Sequence, residues 1–312
     1  MPPNRIADSD VPFGRTITAL ITPFTESGDV DYDLLRELAS IQASVGNAVC
    51  ILGTTGEAPT IRDGAHETED ERGRIIREVV DEVKERVAVI VGTGTNFTED
   101  AIYSTQQAAE LGADGALVVT PYYNKPSQRD FIDRYFEPIG KVGLSVIMYD
   151  IPGRTAAKMD AQTIIEASQL PGIAGLKFAS GDFDQLKKVR EEAPNFPVWS
   201  GDDANTIRVM EEGGVGVVSV ASNVDPKRVH HMVELASKRD WHGAKAIDRE
   251  LVRLVDACFP EGYSNPRGVK LLVSMISGVR NTFRPPLGPL PEEVVREHDY
   301  EGILKRLGLD SF

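Results

Sequence analysis

Lys177 closes an apolar run, Ile173-Ala174-Gly175-Leu176-Lys177-Phe178. Burying an ammonium in such a run is costly unless it sheds its proton or finds a partner. Once neutral, the amine can attack a ketone and form a Schiff base. An arbitrary lysine in this position packs its stem and snorkels its head to solvent, so the reading depends on what the other apolar runs end in. Tyr149 ends one and Thr54 follows another. Their hydroxyls can relay a proton to and from a carbinolamine, a transfer that Schiff-base formation cannot avoid. A phenol alone is a poor acid near neutrality, so the relay requires a hydrogen-bonded chain. The ordinary alternative for Tyr149 is a strand-end ring packed on a loop.

Two further groups suit carboxylates. Gly53 and Gly56 flank Thr54 and Thr55 and would turn backbone N–H groups toward an anion, although any tight turn after a strand favours the same residues. Arg154 follows Ile151-Pro152-Gly153 and can clamp a carboxylate through two parallel N–H bonds; a surface arginine on a loop is the bland reading.

The elements that must hold these residues repeat along the chain. Apolar, β-branched runs predict strands at 16–22, 48–52, 87–91, 115–120, 144–149, 173–177, 198–200 and 215–220. Amphipathic segments between them predict helices at 31–45, 68–86, 98–111, 128–142, 160–170, 182–193 and 204–212. The strands are continuously apolar, as parallel strands covered on both faces are. The length fits an α/β fold of the TIM (β/α)8 barrel type, with a doubly wound open sheet as the competitor. Beyond Asp225 the strand signals stop and helices are expected at 228–238, 241–258, 265–279 and 291–307. The barrel is accordingly assigned to residues 1–238 and a C-terminal helical extension to 239–312. In such a barrel the chemistry lies where strands end at their carboxyl side, which is where Lys177, Tyr149, Thr54 and Arg154 all fall.

Composition narrows the partners. The chain of 312 residues has 34 basic and 48 acidic side chains, a net charge of −14. With no basic run, neither nucleic acid nor an anionic membrane is an expected partner. No apolar stretch reaches the roughly 20 residues that span a bilayer, and the start lacks the halves of a signal peptide. Cys50 and Cys258 stand far apart, which suits a reducing cytoplasm rather than a disulfide framework. Gly92-Thr93-Gly94 lacks the third glycine of a dinucleotide fingerprint, since Phe97 stands there. Gly213-Gly214-Val215-Gly216 precedes the eighth strand and reads as a helix cap. His66, His230, His231, His242 and His298 show no ligand spacing, so neither a metal nor a cofactor is expected.

Taken in order, Gly53 to Glu57, Thr120 to Gln128, Tyr149 to Thr155, Gly175 to Asp182 and Ser200 to Asp203 resemble the dihydrodipicolinate synthase and N-acetylneuraminate lyase superfamily of pyruvate-dependent class I aldolases. Ile151-Pro152-Gly153-Arg154-Thr155 is most similar to the dihydrodipicolinate synthase branch. The resemblance implies that Lys177 forms a Schiff base with pyruvate, whose enamine condenses with L-aspartate-4-semialdehyde to give 4-hydroxy-tetrahydrodipicolinate. It implies a proton relay of Thr54, Tyr149 and Tyr123, with Tyr123 reaching into the site of a neighbouring subunit. It also implies that Thr55 holds the pyruvate carboxylate, that Arg154 holds the carboxylate of the aldehyde, and that Gly201 and Val218 lie beside the site. Chains of this family assemble as dimers of dimers, so a homotetramer is expected. Aldol cleavage or dehydration of a 2-keto-3-deoxy sugar acid or 4-hydroxy-2-oxoglutarate is the alternative chemistry. A non-catalytic barrel that binds a keto acid is the alternative class, against which the retained relay argues.

The chain departs from that pattern at Phe178, where an acidic residue is usual, and at Gly268, where proline is common. Asp63 and Asp100 stand where lysine-inhibited members have His and Glu, while His66, Asn96 and Tyr122 match. Because both substrates are carboxylates, the site must supply positive potential against the chain's overall charge from Arg154, Lys177 and the amides near Thr54 and Thr55.

Overall fold

All eight expected strands are present in a computed structural model, with ends shifted by a few residues. They are β1 Thr16–Ala19, β2 Ala48–Ile51, β3 Val89–Gly92, β4 Gly115–Val119, β5 Ser145–Asp150, β6 Ile173–Phe178, β7 Val198–Ser200 and β8 Gly216–Ser219. The structure describes residues 6–63 and 70–309, so His66 and residues 68–69 of the helix expected at 68–86 lie outside it. Every strand pairs in parallel with its sequence neighbours, and β1 closes on β8 through Thr16–Val217, Ile17–Val218 and Thr18–Ser219. The open-sheet alternative is thereby excluded.

The regular helices Tyr32–Ser44, Glu71–Val83, Thr98–Glu110, Ala161–Ala167, Phe183–Glu192, Thr206–Glu211 and Pro226–Ser237 wrap the sheet. Five of these begin behind an aspartate whose carboxylate accepts from the backbone N–H three residues on: Asp31, Asp70, Asp160, Asp182 and Asp225. Such a cap satisfies one orphan donor and places negative charge at the positive end of the helix.

The expected helix at 128–142 is irregular. It runs as Gln128–Phe131, a π-turn over Ile132–Phe136, and Glu137–Gly140. Pro138 has no N–H to offer the carbonyl of Arg134, and that carbonyl instead accepts from the Thr98 hydroxyl at 3.0 Å.

After the barrel come helices Trp241–Cys258, Arg267–Ile276, Glu292–Glu297 and Tyr300–Leu307. The single helix expected at 291–307 is two, because Asp299 adopts a left-handed backbone (φ 48°) and its side chain caps the second. Gly268 is explained by packing: a Cβ there would lie 2.1 Å from the Ala257 carbonyl oxygen, so helix Arg267–Ile276 can approach helix Trp241–Cys258 only without a side chain. No helix among the described residues is long and apolar enough to cross a membrane.

A single irregularity sets the register that the chemistry needs. Val146 pairs with Ile173 but Ile147 pairs with Gly175, leaving Ala174 as an extra residue in β6. Since side chains alternate faces, this bulge re-phases the rest of β6 and brings Lys177 beside Tyr149.

Candidate active site

Tyr149, Lys177, Trp199 and Gly216 are successive register partners on β5, β6, β7 and β8. They share one face of the sheet, and Val218, two residues beyond Gly216, shares it too. Phe178 lies on the other face. Its ring meets Phe183 edge to face at 5.7 Å, on which the Arg208 guanidinium stacks at 3.5 Å. The departure at Phe178 is therefore a matter of packing behind the sheet and leaves the lysine's own face unchanged.

Lys177 is 6% exposed. Its Nζ lies 4.1 Å from the centroid of the Tyr149 ring, and among the described residues it has neither a carboxylate partner nor a hydrogen-bond acceptor. Gly201 makes room for it: a Cβ at that position would stand 3.0 Å from Cγ and 3.1 Å from Cε of Lys177, and 2.8 Å from Cβ of Ala179. Gly201→Ala is expected to displace the lysine and lower kcat by about 10²-fold, the usual effect of an ångström-scale misplacement. An unchanged kcat in steady-state assay would show that the lysine tolerates the shift.

The Gly53–Glu57 turn has the character of an anion nest. Glu57 adopts a left-handed backbone, φ 54°, and among the described residues the N–H groups of Thr54, Thr55 and Gly56 find no acceptor. Thr55 is buried and its hydroxyl accepts from Asn265 Nδ2 at 2.9 Å. Arg154 is presented by the short helix Pro152–Thr155 and reaches the Asn265 carbonyl at 3.4 Å.

A cavity of about 450 Å³ opens at these strand ends, with Thr54, Glu57, Arg72, Tyr122, Tyr149, Arg154 and Asn265 in its wall. Lys177, Thr55, Gly201 and Val218 are not in that wall; Lys177 stands against the ring of Tyr149, which is. Tyr123 is set apart. It is 87% exposed and left-handed at φ 72°, and its loop is tied to the one after β3 by Asn124 Nδ2 donating to the Asn96 carbonyl. No hydrogen bond joins the hydroxyls of Thr54, Tyr149 and Tyr123 within one chain.

Sequence reasoning missed Asn265, Glu57 and Lys270. Lys270 donates to Glu57 Oε1 and, at 2.9 Å, to the Thr282 carbonyl, and both charged side chains are wholly buried. The polar side chains of Asn265 and Lys270, around the start of a helix that is mostly apolar beyond Lys270, were the available signal.

Burial also raises the Asp150 carboxyl to about 6; one of its oxygens has no partner and the other accepts from the Met159 N–H at 3.3 Å. A carboxyl raised above its unfolded value favours the fold below about pH 4, and that advantage is lost as pH rises through about 6. Asp150→Asn is thus expected to stabilise the chain by roughly 2 to 3 kcal/mol at pH 8 and by little at pH 4. Urea unfolding at both pH values measures this, and equal gains at the two would refute it.

Compared with known proteins, residues 12–304 match the family model described as the dihydrodipicolinate synthetase family. The chain is 41% identical over 282 residues to the 4-hydroxy-tetrahydrodipicolinate synthase of Coxiella burnetii, covering 90% of this chain and 94% of that one. It is 38% identical over 298 residues to the enzyme of the same name from Thermotoga neapolitana, covering 94% and 98%. The crystal structure of dihydrodipicolinate synthase from Aquifex aeolicus superimposes with a TM-score of 0.88 at 35% identity, over 95% of this chain and 98% of that one.

Proposed function

Because the chain belongs to the dihydrodipicolinate synthetase family, we propose that Lys177 is the Schiff-base lysine of its pyruvate-dependent reaction. The activity is that of a 4-hydroxy-tetrahydrodipicolinate synthase, a lyase of lysine and diaminopimelate biosynthesis. The observation that carries the assignment to Lys177 is its burial without a carboxylate partner among the described residues, 4.1 Å from the ring of Tyr149, which lines the cavity at the strand ends.

The amine of Lys177 adds to the ketone carbon of pyruvate, and the carbinolamine loses water to give an imine. A proton leaves the methyl carbon, and the resulting enamine attacks the aldehyde carbon of L-aspartate-4-semialdehyde. Ring closure by the amine of that partner displaces Lys177 and frees the product. Thr54 and Tyr149 handle the protons, joined by Tyr123 of a second copy. Thr55 and the amides of the nest hold the pyruvate carboxylate, with Gly201 and Val218 beside the site. The assembly is at least a dimer for this reason, and a dimer of dimers by analogy with the family.

Arg154 holds the carboxylate of the aldehyde. Arg154→Ala is expected to cost one charge-assisted hydrogen bond, roughly 1.5 to 3 kcal/mol in kcat/KM for the aldehyde, while pyruvate still forms its adduct. Equal loss of both steps would assign Arg154 another role. A coupled assay with aspartate semialdehyde beside 4-hydroxy-2-oxoglutarate and 2-keto-3-deoxy sugar acids tests the substrate. Turnover faster on either of the latter would overturn it.

A further inference from the structure

The cavity that receives two carboxylate substrates has one acidic residue in its described wall, Glu57. Glu57 belongs to the same turn as the amides of Thr54, Thr55 and Gly56, so an ionised and uncompensated Glu57 would repel the anion those amides are arranged to hold. Its compensation comes from behind the wall, out of contact with solvent. Lys270, on the extension helix Arg267–Ile276, donates to Glu57 Oε1, with both side chains 0% exposed. The ammonium is further held by the Thr282 carbonyl at 2.9 Å and by the faces of Phe24 and Phe283, at 4.3 and 4.8 Å from their centroids. The other carboxylate oxygen accepts from the Arg284 N–H at 3.5 Å. The Arg284 guanidinium is itself committed to Glu71, through bonds of 2.7 Å to each carboxylate oxygen. Lys270 is thus the cation engaged directly with the Glu57 side chain.

We propose that Lys270 is a positioning residue for catalysis: it neutralises Glu57 from within the C-terminal extension and so allows the Gly53–Glu57 turn to accept the pyruvate carboxylate. The extension is then part of the substrate site as well as a cover for the barrel. The inference rests on the reading of that turn as the pyruvate carboxylate nest.

Burial raises the Glu57 carboxyl and lowers the Lys270 ammonium, so removal of one partner biases the other toward its neutral form. The effect is therefore clearest as a pH profile. The charged groups engaged with Glu57 are Lys270, on helix Arg267–Ile276, and Arg284, on the segment after it.

The test is the KM for pyruvate of Lys270→Met, Glu57→Gln and the double variant between pH 6.5 and 9.5, with kcat recorded alongside. In Lys270→Met, the KM relative to the unsubstituted chain is expected to climb at least tenfold across this range as Glu57 ionises, with kcat changing less than threefold. In the double variant, which has no carboxylate left to ionise, that relative climb disappears. Glu57→Gln, which leaves no anion in the wall, is expected to show no climb with pH in its pyruvate KM relative to the unsubstituted chain. A Lys270→Met profile parallel to the unsubstituted one overturns the proposal, as does the same climb in the double variant. A merely structural pair would move kcat and KM together with no pH signature. If Lys270→Met does not fold, Glu57→Gln decides: a pyruvate KM that still climbs tenfold with pH relative to the unsubstituted chain overturns the proposal. Borohydride trapping of pyruvate on the unsubstituted chain separates the two levels, since its failure would remove the Schiff-base reading rather than the role of Lys270.

Discussion

Lys177→Met is expected to lower kcat/KM by about 10⁴-fold or more without lowering stability, because a covalent mechanism that loses its nucleophile keeps only what binding and oriented dipoles supply. The stability half of this expectation follows from the site. Lys177 is buried on an inner face of β6 and has no acceptor for its N–H groups among the described residues, so a methionine of similar length leaves no partner unsatisfied and retains the packing. Lys177→Arg should be equally inactive, since a guanidinium is never neutral at working pH. Kinetics and thermal melts on the same preparations check both halves. An inactive variant that also melts much lower would point to a structural lysine, and a variant retaining a tenth of the activity would refute the covalent role.

The second large effect concerns the relay. Tyr149→Phe is expected to lower kcat by roughly 10² to 10⁴-fold, the range for a positioned proton-transfer group, because its ring remains to pack against Lys177 while its hydroxyl is lost. Tyr123→Phe should lower kcat comparably, although this side chain is 87% exposed and forms no bond to the site in its own chain. An exposed side chain on its own chain can matter to that degree only if it acts on another copy. Mixing is the decisive arm. When Tyr149→Phe and Tyr123→Phe chains are unfolded and refolded together, some mixed dimers pair an intact Tyr149 with an intact Tyr123 from the other chain, and activity should reappear. Refolded mixtures as inactive as the separate variants would place Tyr123 outside the relay.

The barrel was legible because its strands are buried on both faces and so read as uninterrupted apolar runs between amphipathic segments. Lys177, Tyr149 and Arg154 were legible because a polar side chain closing such a run has few bland explanations when several runs end that way. What escaped has a common cause in contacts between distant parts of the chain. Asn265 meets Thr55 across 210 residues and Lys270 meets Glu57 across 213, and no local pattern reports such a pairing. The bulge at Ala174 was hidden as well, since an extra residue in a strand leaves its composition unchanged. Phe178 shows the opposite failing: simple alternation would have put it on the face opposite Lys177, where it packs on Phe183, so its proximity in sequence overstated its relevance. The break at Asp299 was obscured because aspartate serves both as a helix cap and as a tolerated left-handed residue.

The central claim is that Lys177 carries the Schiff base. Treating the intact chain with pyruvate and borohydride, followed by peptide mass analysis, tests it most directly. The expected result is one reduced pyruvate adduct per chain, on the peptide containing Lys177 and absent from Lys177→Met. An adduct on a different lysine, or none at all with active enzyme, would contradict it.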